Sequence, residues 1–315
     1  MRFSFLTSSS SSRAIISVGR SRALEEKLFH SSLSKTSAKL LRTRSFSSSS
    51  TSTSIDSETT GGSTSVPLSV TLYQYAICPF CNRAKVFLSY ASQSYDIVEV
   101  NPLTKAELKP WSGDYKKVPI AKINSAQING SKEIIHALAN EPSIRSAIDT
   151  RHTNSQMTTM DDFIHGTSAK QWTEFADDDL AGLLYPNICR TLVDSYAAFG
   201  YVKDVPTFST LQKLSIQGIG SVAMYIAASK IKSKRGITDE REALHTALSR
   251  FETEGLLGTN NAFSSGLDTP NMGDLAVFGV LKSVEGLPAH DDAIENRGGA
   301  IRDWYHRMQT EVERN

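Results

Sequence analysis

The sequence predicts an α/β domain followed by an all-α domain, both preceded by a segment with no core of its own. Three observations carry that reading. Residues 68–140 alternate strand-like and helix-like stretches, with a C-x-x-C at the first strand-to-helix junction. From Met160 onward, apolar residues recur at helical spacing. The first 65 residues are dominated by Ser, Thr, Lys and Arg and offer little apolar area to offset chain entropy.

Within the α/β part each element has a local reason. Leu68–Tyr75 alternates and is rich in strand formers. Ala76–Cys81 is a turn running into a helix, and Pro79 suits the first helical turn, where its missing N–H costs nothing. Ala84, Val86, Phe87, Leu88 and Tyr90 continue that helix. Tyr95–Val100 reads as a second strand, ended by Asn101-Pro102, with a short helix expected over Thr104–Lys109. Val118–Ile123 is the third strand and Ala126–Ile128 a short fourth, paired across a tight turn. Asn129-Gly130 breaks it, and Ser131–Asn140 is a helix with Ile134, Ile135 and Leu138 on one face. A polar stretch from Glu141-Pro142 joins the two domains. In the helical part, Asp239 and Glu242 are spaced as a capping box, as are Asn271 and Asp274. Asp177-Asp178-Asp179 is expected to be a solvated acidic face, and Cys189 a packed core residue. The helix through Met224-Tyr225-Ile226 is expected to pack in the core, with a membrane contact as the rival reading.

Residues 1–50 hold 17 Ser and nine Lys or Arg, against only Glu25 and Glu26. That is the composition of an organelle-targeting presequence. Arg44-Ser45-Phe46-Ser47 resembles a mitochondrial processing site, which makes the mitochondrion the expected address and the chloroplast the alternative. The expected organisation is a presequence over 1–46 and a Ser/Thr linker over 47–66. A thioredoxin/glutaredoxin-like domain over 67–141, a linker over 142–157 and an all-helical domain over 158–315 follow.

Beyond residue 50 the chain carries 25 basic and 31 acidic residues, so it offers no surplus of cations to replace phosphate counterions and is not expected to bind nucleic acid. No run of about 18 apolar residues suggests a membrane-spanning helix. Three cysteines do not make a disulfide scaffold. A zinc site would need a second ligand pair, but Cys189 is isolated and the seven His are scattered, so no metal is expected.

A βαβ unit, a hairpin and a closing helix, with C-x-x-C where the first strand meets the first helix, is the thioredoxin-type pattern. At a helix N-terminus Cys78 meets unpaired N–H groups and the positive end of the dipole, which favour thiolate, the nucleophilic form. Cys81, one turn later, can resolve a mixed disulfide. Val118-Pro119 stands where this fold places a cis-proline facing an extended peptide ligand, and Gly130-Ser131 opens a helix whose N–H groups suit a carboxylate. Together these point to glutathione.

The stretch Leu72-Tyr73-Gln74-Tyr75-x-x-Cys78-Pro79-Phe80-Cys81, then Val98-Glu99-Val100-Asn101-Pro102 and Lys117-Val118-Pro119-Ile120, closely resembles the membrane-associated prostaglandin E synthase type 2 family. The resemblance continues through Trp172-x-x-Phe175-Ala176-Asp177-Asp178, Pro186-Asn187, Ala223-Met224-Tyr225, Gly273–Leu281 and Trp304-Tyr305, covering about residues 68–312. It implies a glutathione-transferase-like architecture and a thiol-dependent isomerisation of a lipid endoperoxide, with glutathione as thiol ligand. By position it implies Cys78 as catalytic cysteine and Tyr75 as its hydroxyl partner, with Cys81 beside them. Phe80, Val118, Pro119, Gly130 and Ser131 fall at its glutathione site, Val118 as the backbone clamp and Ser131 as the carboxylate binder. The family carries an acid before that serine, where this chain has Gly130, and Glu133 is the nearest substitute. Glutaredoxins share the motif but usually carry Lys where Tyr75 stands.

The function expected is therefore a glutathione-dependent isomerase of a lipid peroxide-type substrate. A glutaredoxin-like protein disulfide oxidoreductase is the alternative, and a non-catalytic binding protein of the same fold is the third reading. Haem binding, a homodimer and a peripheral membrane contact are left open by the sequence.

Overall fold

The computed structural model describes residues 67–314 apart from 154, 156, 158, 260 and 261. The expected presequence and Ser/Thr linker, 1–66, lie outside the described residues. The described chain begins with β1 (Val70–Gln74), α1 (Pro79–Tyr90), β2 (Asp96–Glu99), β3 (Ile120–Ile123), β4 (Ala126–Asn129) and α2 (Ser131–Ala139). The four strands form one mixed sheet in the order β2-β1-β3-β4. β2 runs parallel to β1, whereas β3 runs antiparallel to both β1 and β4. That is the thioredoxin-type sheet, and every strand falls within about one or two residues of its expected bounds.

Two local expectations change. Residues 104–109 form turns, not a helix, because Lys105 takes a positive φ of 52° that no α-helix admits. The polar stretch after Glu141 contains a helix, α3 (Pro142–His152), which starts on Pro142 and buries Ile144, Ile148 and His152. Those three residues lie four apart on one face, a stripe that average polarity conceals. The His152 ring nitrogen meets the Tyr90 hydroxyl at 2.9 Å, fastening α3 to α1.

Residues 159–314 form helices, with no strand among the described residues. The core of this part is aromatic. Phe251 packs edge-on against Trp172 and Trp304, each at a centroid distance of 4.9 Å. α11 (here Met272–Lys282; α4 to α10 span Met160–His165, Thr167–Glu174, Ala181–Ile188, Leu192–Ala198, Thr210–Ser215, Ser221–Arg235 and Glu240–Arg250) starts on a full capping box. Asn271 accepts from the N–H groups of Gly273 and Asp274, and Asp274 accepts from the Asn271 N–H. Asp274 also accepts from the Ser264 N–H at 2.9 Å and the Trp304 indole at 3.0 Å. Asp239 caps α10 through the N–H groups of Arg241 and Glu242. α9 buries Met224, Ala227, Ala228 and Ile231 as a core helix does, while Val222 and Ile226 stay exposed. Cys189 is a packed core residue, and burial pushes its thiol up to about 11. No described helix is long and apolar enough to cross a membrane.

The sheet part and the helical part meet along α1. Gly279 of α11 lies so close to Arg83 that a Cβ there would come within 2.8 Å of the Arg83 Cα. The Arg83 guanidinium forms a buried ion pair with Asp177, in the π-helical turn Phe175–Leu180 that links α5 to α6. The acidic triplet is thus not one solvated face: Asp177 is buried against Arg83, and the more exposed Asp179 pairs with Arg250 at 3.3 Å. A charge meant for a partner 94 residues away looks, in sequence, like any surface acid.

Asp177→Ala takes this carboxylate from a buried guanidinium and should lower the unfolding free energy by about 3–5 kcal/mol. Asp179→Ala should change it by less than about 1 kcal/mol, since both partners there face solvent. Urea denaturation of the two variants measures both effects, and equal losses would contradict the assignment.

Candidate functional site

Sheet register brings the predicted site residues to one edge. Tyr73 pairs with Ile120 in the antiparallel β1–β3 ladder, so the continuation of that register sets Tyr75 opposite Val118. Ile120 pairs with Asn129 across β3–β4, and the Gly130 N–H donates to the Pro119 carbonyl at 2.9 Å. The Tyr75–Cys78 turn, Val118-Pro119 and Gly130-Ser131 therefore converge where β1 ends and β3 begins. The Val118–Pro119 peptide is cis, as the sequence reading expected.

Cys78 occupies the N-cap position of α1, with extended backbone (φ −83°, ψ 121°) and no side-chain cap over the first turn. Its N–H donates to the Tyr75 carbonyl at 3.0 Å, closing the turn. Both sulfurs are free thiols and both are buried, Cys78 at 3% exposure and Cys81 at 0%. Burial pushes the Cys81 thiol well up, and its side-chain hydrogen bond with Cys78 pushes it the same way. Cys81 is thus held as a thiol partner for the outer sulfur. Burial also raises the Tyr75 phenol well above its ordinary range, and its acidic neighbours Cys78, Cys81, Glu99 and Glu107 add to the effect. A phenol so placed stays protonated and can donate. Phe80 follows in the first turn of α1 and is nearly buried.

Two polar side chains that sequence reasoning passed over hold this turn, and a third lies beside it. Glu99, at the end of β2, accepts from the Ala76 N–H at 2.8 Å and from the Gln74 side-chain amide at 3.0 Å. Asn82, one turn into α1, donates to the carbonyls of Ala76 at 2.7 Å and Cys78 at 3.0 Å. The Lys85 ammonium lies among Cys81, Glu99 and Cys78, and burial pulls its pKa down. One signal in the sequence could have flagged Glu99: an acid set between two valines at the end of a stretch read as a strand.

At the other end of the site, Gly130 is the N-cap of α2 with φ +91° and ψ 148°, and no side chain caps that helix. The Glu133 carboxylate folds back over it, with Oε2 2.8 Å from where a Gly130 Cβ would stand. Glu133 thus brings an acid to the position left empty by Gly130, from one turn inside the helix. Ser131 is buried at N1. Among the described residues, no three His, Cys, Asp or Glu side chains converge to hold a metal ion.

Residues 72–146 match the family described as glutathione S-transferase, N-terminal domain. The chain is 34% identical over 273 residues to prostaglandin E synthase 2 of Danio rerio, covering 77% of this chain and 71% of that protein. It is 33% identical over 279 residues to prostaglandin E synthase 2 of Mus musculus, covering 78% and 71%. Among solved structures it is similar to glutathione transferase F7 from Populus trichocarpa, at 15% identity and a TM-score of 0.43, over 76% of this chain and 93% of that one.

Gly130→Asp should not restore an acid at no cost. The backbone there is one that only glycine adopts readily, so the substitution should destabilise the chain by about 1–3 kcal/mol. It also pushes the Glu133 carboxylate aside. Urea denaturation beside Lys132→Asp, at an ordinary helical position, checks this, and equal stabilities would contradict it.

Proposed function

Because the chain belongs to the prostaglandin E synthase 2 family, we propose that it is a glutathione-dependent isomerase that rearranges a lipid endoperoxide with the Cys78 thiolate. The observation that carries the reading is the placement of Cys78 at an uncapped helix N-terminus beside a protonated Tyr75. The N-terminal N–H groups favour negative sulfur, and a buried phenol donates to it or to a departing oxygen. Thiolate attack on one peroxide oxygen breaks the O–O bond. The other oxygen leaves as alkoxide and takes up a proton. Loss of a proton from the carbon bearing the sulfur-bound oxygen then forms the carbonyl and releases the thiolate. Atoms and electrons balance without an external oxidant.

Glutathione, when bound, supplies a second thiol at this edge of the sheet. What supports its fit is the free N-terminus of α2 for its γ-glutamyl carboxylate and the Glu133 carboxylate for its ammonium group. Val118 would give the backbone clamp and Ser131 a hydroxyl. The hydrogen-bonded Cys78–Cys81 pair also supports a second reading, dithiol exchange on glutathione mixed disulfides. A lipid substrate, a mitochondrial address given by residues 1–46, a membrane contact and a homodimer belong to the same proposal.

Cys78→Ser should abolish turnover on an endoperoxide, because an alcohol is negligibly ionised where a helix-terminal thiol is not. Tyr75→Phe should slow it roughly ten- to hundredfold, the worth of one hydrogen bond to a charged group. Cys81→Ser should be mild for isomerisation, whereas a loss equal to that of Cys78→Ser would favour dithiol exchange. Steady-state assays with an endoperoxide and with a glutathione mixed disulfide separate the two readings. Glu133→Gln should weaken glutathione in calorimetric titration, and unchanged affinity would remove Glu133 from the site.

A further inference from the structure

Glu99 is the one buried acid beside the cysteine turn among the residues just described, and the chemistry proposed above leaves it without a task. It is 8% exposed. Its two oxygens have separate donors: Oε1 takes the Ala76 N–H and Oε2 the Gln74 amide. A carboxylate accepts at both oxygens, so this arrangement suits the ionised form. The Gln74 side chain has a second, complementary possibility. Its own carbonyl oxygen is buried with no hydrogen-bond partner among the described residues. Half a turn of that amide would present this oxygen to a protonated Glu99, which would then donate where it had accepted. The Glu99–Gln74 hydrogen bond can therefore be made in two ways that differ by one proton and one amide rotation.

We propose that Glu99 is a positioning residue for Cys78: with Gln74 as its partner it fixes the turn that carries Tyr75 and Cys78, and its hold on Ala76 changes when it gains or loses a proton. The proposal rests on the reading of Cys78 as the reactive sulfur. Groups from every neighbouring element face this carboxyl. Lys85 of α1 favours its charged form, while Lys282 of α11 acts on Lys85 in turn. The Tyr201 hydroxyl, from the helical turn Phe199–Asp204, lies against it. Tyr75, Cys78 and Cys81 share this buried setting, and Glu107, which accepts from the Asn101 N–H at 2.9 Å, acts on Tyr75 with them. Burial outweighs the donors and Lys85, and pushes the Glu99 carboxyl up to about 7. The change of grip thus falls within the range where cells and compartments differ. It has a sign for stability as well. Between the ordinary carboxyl value of 4.5 and about 7 the unfolded chain has released this proton and the folded chain has not, so stability falls as pH rises through that interval.

The test uses the full chain and its Glu99→Gln variant. Amide NMR follows the Ala76 N–H with pH, while mass spectrometry of the Cys78 peptide follows its alkylation by iodoacetamide. In the unaltered chain the Ala76 resonance should titrate near pH 7, and the Cys78 rate should show an inflection at the same pH. Glu99→Gln should lose both. A titrating Ala76 with a Cys78 profile identical in the two proteins would overturn the positioning role, as would an Ala76 resonance flat in both. A Cys78 that resists alkylation at every pH in the folded chain, yet reacts after denaturation, would instead overturn the reactive-cysteine reading on which the role rests.

Discussion

The backbone of Ala76 is gripped at both of its peptide groups: its N–H by Glu99 of β2 at 2.8 Å, its carbonyl by Asn82 of α1 at 2.7 Å. This short crossing holds the site together. A strand end and a helix start would otherwise be joined by a bare turn, free to carry Tyr75 and Cys78 wherever thermal motion led. Two charge-assisted or amide bonds in a buried setting fix it far better than the same bonds would in water. The Cys78 N–H bond to Tyr75 then closes the turn, so that the sulfur stands at the helix N-terminus and the phenol beside it.

The helix that begins at this turn serves both halves of the chain. α1 buries Phe87 and Leu88 fully, meets Gly279 of α11 at Arg83, and reaches the Phe175–Leu180 turn through the Arg83–Asp177 pair. Tyr201 reaches back from the helical part to Glu99 itself. The helical part is therefore more than a wall around a ligand, because its side chains complete the setting of the reactive turn.

What could be read from the sequence was what is local. The Cys78–Cys81 pair, the Pro79 start, the strand alternation and the Asn271–Asp274 capping device all depend on residues within a few positions of one another, and each appears where it was expected. Glu99, Asn82, Lys85 and Tyr201 were not read because their meaning lies in partners brought near only by the fold. Asp177 failed for the same reason, since its partner Arg83 lies in another element. The helix at Pro142–His152 was hidden differently: three buried residues four apart were outvoted by the polar ones between them. Glu133 was read as a substitute acid lying inside the helix, and the folded-back carboxylate shows how such a position reaches the N-terminus.

The close approach of α11 to α1 bears on modularity. Gly279 stands against the Arg83 backbone because neither residue leaves room for anything between them, and Arg83 itself is buried there with Asp177. A fragment ending after α2 would carry every cysteine-turn residue except Tyr201. It would also bare one flank of α1 to water and leave a guanidinium without the carboxylate it was folded around. The part of the chain that looks most like a self-contained module shares α1 with the helical part, and grafting it elsewhere would require grafting α11 and the Phe175–Leu180 turn as well.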